Sequence, residues 1–486
     1  MSKKILGSAV LILAILFLLF PRVLKLDAFR SPDEKRWVAN TAGFTRNLSM
    51  GKWDKLLQQP HPGITTQWLG SLAIRFNSWQ AKKLPIVAGQ VILIVFIAYV
   101  FSKLWGRKSG LLVLIFLAVD PFLFAHSRVY AMDSLLALFS VLSVSLLLLW
   151  DRTGKERYLF FSAFCASAAF LSKISGVIII PLSIFFIFWK LYIDKENYKI
   201  IIRKVIAWIL YCVISSIMIL PSVAIAPTKV IGDFKEFLTS DQYAEEHSLG
   251  VLYYLRTLEF FSSPAHFLLI VSLPLIIFFR KISIDKDKIK DIVWLFFLAV
   301  LFFLEMMIGA KKGDRYILPV FVLLDTLSAL VVFVFWTNYL KNKSKLLIFL
   351  VTLFLILCIW QEQLIIKLFP HNLAYVNPIT KKYFGDKRSG WGEGLDLAAD
   401  YLNQKANAKD LKVASYYPNE FAENFSGETV SMNQFDNDSV DYVIVYRAMY
   451  ERGNSYETDV LNKYKNKTPE KVISFNGIKF VWVYKK

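Results

Sequence analysis

The chain has 486 residues, is 56% hydrophobic and 16% aromatic, contains 41 phenylalanines and carries a formal net charge of +19. Repeated near-uncharged runs in so apolar a composition exclude a soluble enzyme and specify a polytopic α-helical membrane protein. The positive excess gives no reason to expect nucleic acid as a partner, because the segment after about residue 366 is nearly balanced and the surplus lies in short loops between apolar runs. Cys165, Cys212 and Cys358 all fall inside such runs, which indicates neither a disulfide framework nor a thiolate metal site.

Taken in chain order, the first apolar run, residues 5–20, follows Lys3 and Lys4 like a signal peptide. No small-residue cleavage site follows it before Lys25, so it reads as a retained helix. The candidate spans are 5–21, 85–104, 110–125, 133–150, 158–172, 174–192, 203–226, 264–280, 291–310, 316–338 and 346–365, about eleven helices of near-bilayer length. Alternating their sides gathers Lys103, Arg107 and Lys108 with Arg152, Lys155 and Arg157, with Lys195 to Lys204, with Arg280 to Lys290, and with Lys341, Lys343 and Lys345. By the positive-inside rule this face is cytoplasmic, as is the N-terminus, and an odd helix count puts the C-terminal region outside. The expected location is a multi-pass protein of the plasma membrane. Spans five and six are separated only by Ser172-Lys173; a single broken helix there would turn the downstream basic loops outward, against the charge bias.

The same alternation puts outside a long loop over residues 22–84, the turn His126 to Asp133, the loop from Pro227 to Ser263 and the loop Lys311-Lys-Gly-Asp-Arg315. In the first loop, Trp53 and the stretch Pro60 to Phe76 mix aromatic and polar residues with turn punctuation, as interfacial helices do. The segment from Gly232 to Ser263 is amphipathic and fits either an ordinary interfacial loop or a cover over a lipid access groove. From residue 366 the pattern becomes that of a small α/β module: a helix over 394–402, strands over 411–417 and 440–446, and a hairpin over 472–484 turning at Asn476-Gly477. Two domains follow, a membrane domain over 1–365 and an extracytoplasmic α/β domain over 366–486, the latter suited to acceptor docking or shielding.

Asp33 and Glu34 lie side by side just outside the first span, where a carboxylate pair is either a solvated loop or a catalytic base. Asp133 opens a Leu/Ser/Ala/Val helix; it is explained equally as an N-cap or as a charge retained near hydrocarbon for a site. His126 and Arg128 precede it in the same turn. Lys311, Lys312 and Arg315 form an outer cluster of cations against the positive-inside bias, which suits a phosphate or diphosphate lipid, although headgroup attraction alone also accounts for it. Lys173, at another outer turn, is placed to reach the same pocket.

Asp33-Glu34 in the first outer loop, the His61-Pro-Gly63 segment followed by Trp68-Leu-Gly70, Asp133 at the head of a Leu-rich helix, and Lys312-Gly-Asp-Arg-Tyr-Ile-Leu-Pro319 occur in an order that resembles the GT-C glycosyltransferases. The branch is similar to the protein mannosyltransferases and aminoarabinose lipid A transferases, glycosyltransferase family 39 in the broad sense, and the resemblance extends to about residue 366. It implies a polyprenyl-phosphate-linked hexose or pentose donor, an extracytoplasmic active site in the cell envelope and inversion at the anomeric carbon. It also implies Asp33 as general base with Glu34 beside it, Asp133 supporting the donor or acceptor site, and Arg315 on the lipid phosphate, with Tyr316 next to it. His61, Trp68, His126 and Lys173 then line the substrate pocket, and Lys311, Lys312 and Arg128 join the donor side. The chain departs from the pattern at His61-Pro62, where typical members have Lys-Pro or paired prolines, and its C-terminal domain matches no known acceptor module.

The acceptor implied is a protein, lipid or glycan hydroxyl. No cofactor is indicated beyond a divalent cation compatible with the Asp33-Glu34 pair. The alternative class is a transporter or flippase of a lipid-linked or anionic substrate, for which internal repeats and charges near the bilayer midplane are expected; here the charges gather at one face.

Overall fold

The computed structural model describes residues 12, 15–16, 18–58, 61–193, 195–239, 252–263, 266, 285–309, 312–339, 345–380, 390–434, 440–452 and 455–486. They divide into two compact units, Met1–Leu24 with Trp37–Glu362 and Lys25–Arg36 with Gln363–Lys486. Residues 25–36, assigned by sequence to the membrane part, thus group with the C-terminal unit, where Arg30 and Lys35 both ion-pair with Glu423.

In the first unit, six described helices are long and apolar enough to cross a membrane: Trp79–Trp105, Asp133–Thr153, Ile174–Ile193, Tyr198–Ile219, Lys286–Ile308 and Asp314–Val334. The pair Arg107–Val119 and Pro121–Ser127, bent by 67°, makes a seventh if it is one span. Of the four remaining expected spans, three coincide with described helix in whole or in part. The 158–172 run folds as Glu156–Ser172, helical but only 17 residues long; the 346–365 run lies in the helix Lys345–Leu368; and 264–280 falls outside the described residues except for His266. Of 5–21, residues 12, 15, 16 and 18–21 are described, all helical.

The break at Asp120 has a local cause. Pro121 removes a backbone donor, and Asp120 caps the second half by accepting from the Leu123 N–H at 2.6 Å. The carbonyls freed at the end of the first half, Leu117 O and Ala118 O, take the buried Arg22 Nη2 at 3.3 and 3.1 Å. Spans five and six are separate helices, because Lys173 is extended and the following turn folds back. Gly176 approaches the Ala169–Phe170 backbone so closely that a Cβ there would lie 2.6 Å away.

Ionic clusters mark the two ends of this bundle. At the C-terminal end of Asp133–Thr153, Arg152 meets Asp291 at 2.9 Å, Trp105 Nε1 donates to Asp291 at 2.7 Å, and Asp151 holds Lys190 and Lys290 at 3.2 and 2.6 Å. These residues belong to the loop ends assigned by sequence to the cytoplasmic face. The cluster around Asp133 lies at the opposite end of the same helix, about 30 Å away at 1.5 Å per residue. Between them the exterior exposes Ile92, Phe96, Ile206, Leu210, Val293 and Phe296, as lipid contact requires.

The second unit carries a five-stranded sheet of β1 (Lys412–Ser415), β2 (Glu428–Ser431), β3 (Tyr442–Tyr446), β4 (Lys471–Phe475) and β5 (Ile478–Lys485), in the order β2-β1-β3-β5-β4. Strands β1, β2 and β3 run parallel, and β5 returns antiparallel to β3 and β4. The hairpin turns at Asn476 and Gly477, with φ of 49° and 76°, the two left-handed positions that an Asn-Gly turn supplies. Ala414, Val443, Val445, Met449, Val460 and Tyr464 pack one face of the sheet.

Candidate active site

Asp133 is the first residue of its helix and only 3% exposed. It is not the N-cap; that position is Met132, and no side chain caps there. Its carboxylate instead holds two cations. Lys173 Nζ lies 2.7 Å from Oδ1, and Arg315 Nε lies 3.6 Å from Oδ2. Tyr316 joins them, with Lys173 Nζ 3.6 Å above its ring centroid and Arg315 Cζ at 5.3 Å. A desolvated ammonium between a carboxylate and an aromatic face is stabilised from both sides. His126, buried against the Phe122 ring at 4.5 Å, is close enough to act on the Asp133 charge.

Three separate stretches build this constellation, and the sequence explains each placement. Lys173 sits where one helix stops and the chain turns. Asp133 starts the preceding helix after a buried turn, and Arg315 and Tyr316 lie in the 3₁₀ turn Asp314–Ile317 that leads into a span. The short helix Ile64–Ser71 closes one side. Gly63 N–H donates to Ser172 O at 3.0 Å, Thr65 and Ser172 hydroxyls lie 2.6 Å apart, and Thr66 Oγ1 donates to Ala131 O at 3.4 Å. Gly63 is required there: φ is 57°, and a Cβ would meet the Trp37 ring at 2.3 Å. His61 stands half-buried at the start of this segment.

Other residues singled out in the sequence have structural work instead. Arg128 donates to the carbonyls of Pro21, Arg22 and Leu24 at 2.8, 3.3 and 2.9 Å. Burial, aided by neighbouring Arg22, lowers its guanidinium to about 10, so it stays charged at neutral pH. Lys312 Nζ donates to Met306 O and Met307 O at 2.8 and 2.6 Å, capping the end of Lys286–Ile308. Trp68 Nε1 donates to Ile219 O at 2.8 Å and the partly buried ring packs edge-on to Phe44, which anchors it to the core. Lys311 lies outside the described residues.

Asp33 and Glu34 differ sharply. Both lie in the first turn of the helix Pro32–Ser49, but Glu34 is 1% exposed and its Oε2 accepts from Ser31 N–H at 2.9 Å. This is half of a Ser-x-x-Glu capping box. Asp33 is half-buried and retains access to solvent.

Two features escaped the sequence reading. Glu305, an acid near the end of an apolar span, lies near enough to Lys173 to interact with its charge. The helix Tyr253–Phe261 clamps the Arg315 turn: Tyr253 Oη donates to Asp314 Oδ1 at 2.5 Å, and Gly313 N–H donates to Tyr254 Oη at 3.3 Å. Burial raises the Tyr254 hydroxyl pKa, which keeps it protonated. The preceding helix, Pro227–Thr239, buries Val230 and Phe234 against the Phe44–Leu57 cluster.

No curated protein matches the chain by sequence. Residues 61–225, which contain Asp133 and Lys173, match the family described as dolichyl-phosphate-mannose-protein mannosyltransferase. Among solved structures, the fold is similar to ArnT from Cupriavidus metallidurans in the apo state, at 12% identity over 98% of this chain and 98% of that chain, with a TM-score of 0.52. It is equally similar to that protein bound to undecaprenyl phosphate, at 12% identity over 99% and 98%, again with a TM-score of 0.52. The Archaeoglobus fulgidus oligosaccharyltransferase in its apo form aligns at 13% identity over 91% of this chain and 70% of that chain, with a TM-score of 0.48, too loose to argue from. The family match spans about a third of the chain, and over nearly its whole length the chain is similar in fold to ArnT.

Proposed function

We propose that the protein is a membrane glycosyltransferase that moves a sugar from a polyprenyl-phosphate donor to an acceptor hydroxyl on the extracytoplasmic side, with inversion. The observation that carries this reading is the Asp133–Lys173–Arg315–Tyr316 constellation, its carboxylate and ammonium buried, at the bundle end opposite the basic loops, in a chain with the fold of ArnT. The structural relative bound to undecaprenyl phosphate supports a prenyl phosphate as the donor carrier.

In this reading the Arg315 guanidinium meets the lipid phosphate, while Asp133 and Lys173 hold it in orientation. As the bond between the anomeric carbon and the phosphate oxygen breaks, negative charge grows on the departing phosphate, and fixed cations in a poorly hydrated site stabilise it. Phosphate needs little protonation to leave, so one carboxylate that takes the acceptor proton suffices. We assign that base to Asp33, because Glu34 is committed to the helix cap. Direct displacement inverts the anomeric centre without an enzyme nucleophile.

The test is reconstitution of the full chain in liposomes with a radiolabelled polyprenyl-phosphate sugar and membrane extract as acceptor source. Label moving from the prenyl carrier to an acceptor supports the reading. Label that crosses the bilayer still attached to its carrier identifies a flippase instead.

A further inference from the structure

The first unit buries a second ionisable cluster, separate from the one around Asp133. Asp120, His266 and Asp325 each present one ligand-type atom, and these atoms lie within 4.8 Å of one another. The residues are 1%, 1% and 2% exposed. Asp120 stands at the break of the bent helix pair, and Asp325 lies within the span Asp314–Val334. Aromatic rings surround the group: Phe122 packs on Phe261 and Phe321 at 4.7 and 4.6 Å, and His266 lies 6.3 Å from Phe321.

The internal hydrogen bonds do not satisfy this cluster. Asp120 Oδ1 takes the Leu123 N–H and Asp325 Oδ1 meets His266 Nε2, but Asp120 Oδ2 and Asp325 Oδ2 are both buried with no partner. Two carboxylates beside a single imidazole in an apolar interior require positive charge from elsewhere, either two protons or one divalent ion. Lys173 and Arg315 do not provide it, since both face Asp133, and Arg22, whose charge reaches Asp120, spends its guanidinium on Ser127 Oγ and on the carbonyls of Leu18, Leu117 and Ala118.

We propose that Asp120, His266 and Asp325 bind one divalent first-row transition-metal ion of the Zn²⁺ class. Two carboxylates and a neutral imidazole make an electrically neutral set with such an ion, and oxygen and nitrogen donors of this kind suit zinc. Coordination through Nε2 places the ring proton on Nδ1, which opens the long 3.3 Å contact from Ser263 N–H. The ion acts as a clip: it ties the kink at Asp120 to the span that carries Asp325 and to His266. The three ligands come from distant parts of the chain, so the clip stabilises their assembly rather than any one helix.

Full-length untagged protein purified in detergent without chelator is analysed for metal content and thermal midpoint. About one equivalent of tightly held zinc is expected, with a lower midpoint after chelation that zinc restores. Asp325→Asn and His266→Gln lose the ion, whereas Arg315→Ala keeps it. X-ray absorption of the wild-type protein, which does not depend on any variant folding, shows one imidazole nitrogen and carboxylate oxygens as neighbours. Metal-free wild-type protein whose midpoint ignores added zinc overturns the proposal and leaves protons as the compensating charge. Zinc retained in Asp325→Asn, or a sulfur-containing coordination shell, overturns it as well.

Discussion

Replacing Asp133 with asparagine removes one charge from a pair whose side chains are 8% and 4% exposed, with Lys173 Nζ at 2.7 Å. The ammonium then stays buried without its counter-ion, an outcome that typically costs about 3–5 kcal/mol. Two contacts soften the loss. Lys173 keeps the Tyr316 ring at 3.6 Å, a desolvated cation–π contact worth roughly 2 kcal/mol, and Glu305 remains nearby. The Arg315 contact is 3.6 Å long with a side chain 23% exposed, so its share is at most about 1 kcal/mol. The expected destabilisation is therefore near the lower end, about 3 kcal/mol. Thermal unfolding followed with a thiol-reactive fluorophore measures it, because Cys165 and Cys212 are buried and free in the folded protein. The double variant Asp133→Asn/Lys173→Met removes both charges and should be more stable than Asp133→Asn alone. A single variant that loses less than about 1 kcal/mol, or a double variant less stable than the single, refutes the assignment of a buried, mutually dependent pair.

Arg315→Ala should weaken binding of a polyprenyl phosphate, measured by titration in detergent, by roughly 1.5–3 kcal/mol, with Arg315→Lys restoring only part because a point charge cannot reproduce the fork. Trp68→Phe should cost about 1 kcal/mol of stability through the lost bond to Ile219 O and leave donor affinity unchanged; weakened donor binding would return Trp68 to the pocket. Glu34→Gln keeps an acceptor for Ser31 N–H, so transfer should persist and the midpoint fall only slightly. Gly477→Ala, at φ of 76°, should destabilise the C-terminal sheet by about 1 kcal/mol, read by proteolysis of that unit.

What the sequence revealed depended on how local the cause was. The Asn476-Gly477 turn and its flanking strands were legible because two neighbouring residues fix the hairpin, whereas β2 was missed because Glu428-Thr-Val-Ser431 is short, half polar and defined by its parallel pairing with β1. The apolar spans were legible as runs, but the bend at Asp120 depends on where Arg22 places its guanidinium. Asp133, Lys173 and Arg315 stood out singly; their meeting is a tertiary fact. Lys312 and Arg315 look alike in sequence, and only the end of Lys286–Ile308 shows that Lys312 serves its last carbonyls. The backbone partners of Arg128 were hidden for the same reason, since they lie over 100 residues earlier. The capping role of Glu34 was readable in Ser31-Pro-Asp-Glu34, whose spacing is that of a capping box.

The measurement closest to the central claim is the single-turnover rate of Asp33→Asn with a synthetic polyprenyl-phosphate sugar, set beside its donor affinity. The amide keeps size and hydrogen bonding but cannot accept a proton. The account predicts a loss of about 10²–10⁴-fold in the chemical step with donor affinity nearly intact. Near-wild-type turnover in Asp33→Asn would contradict it.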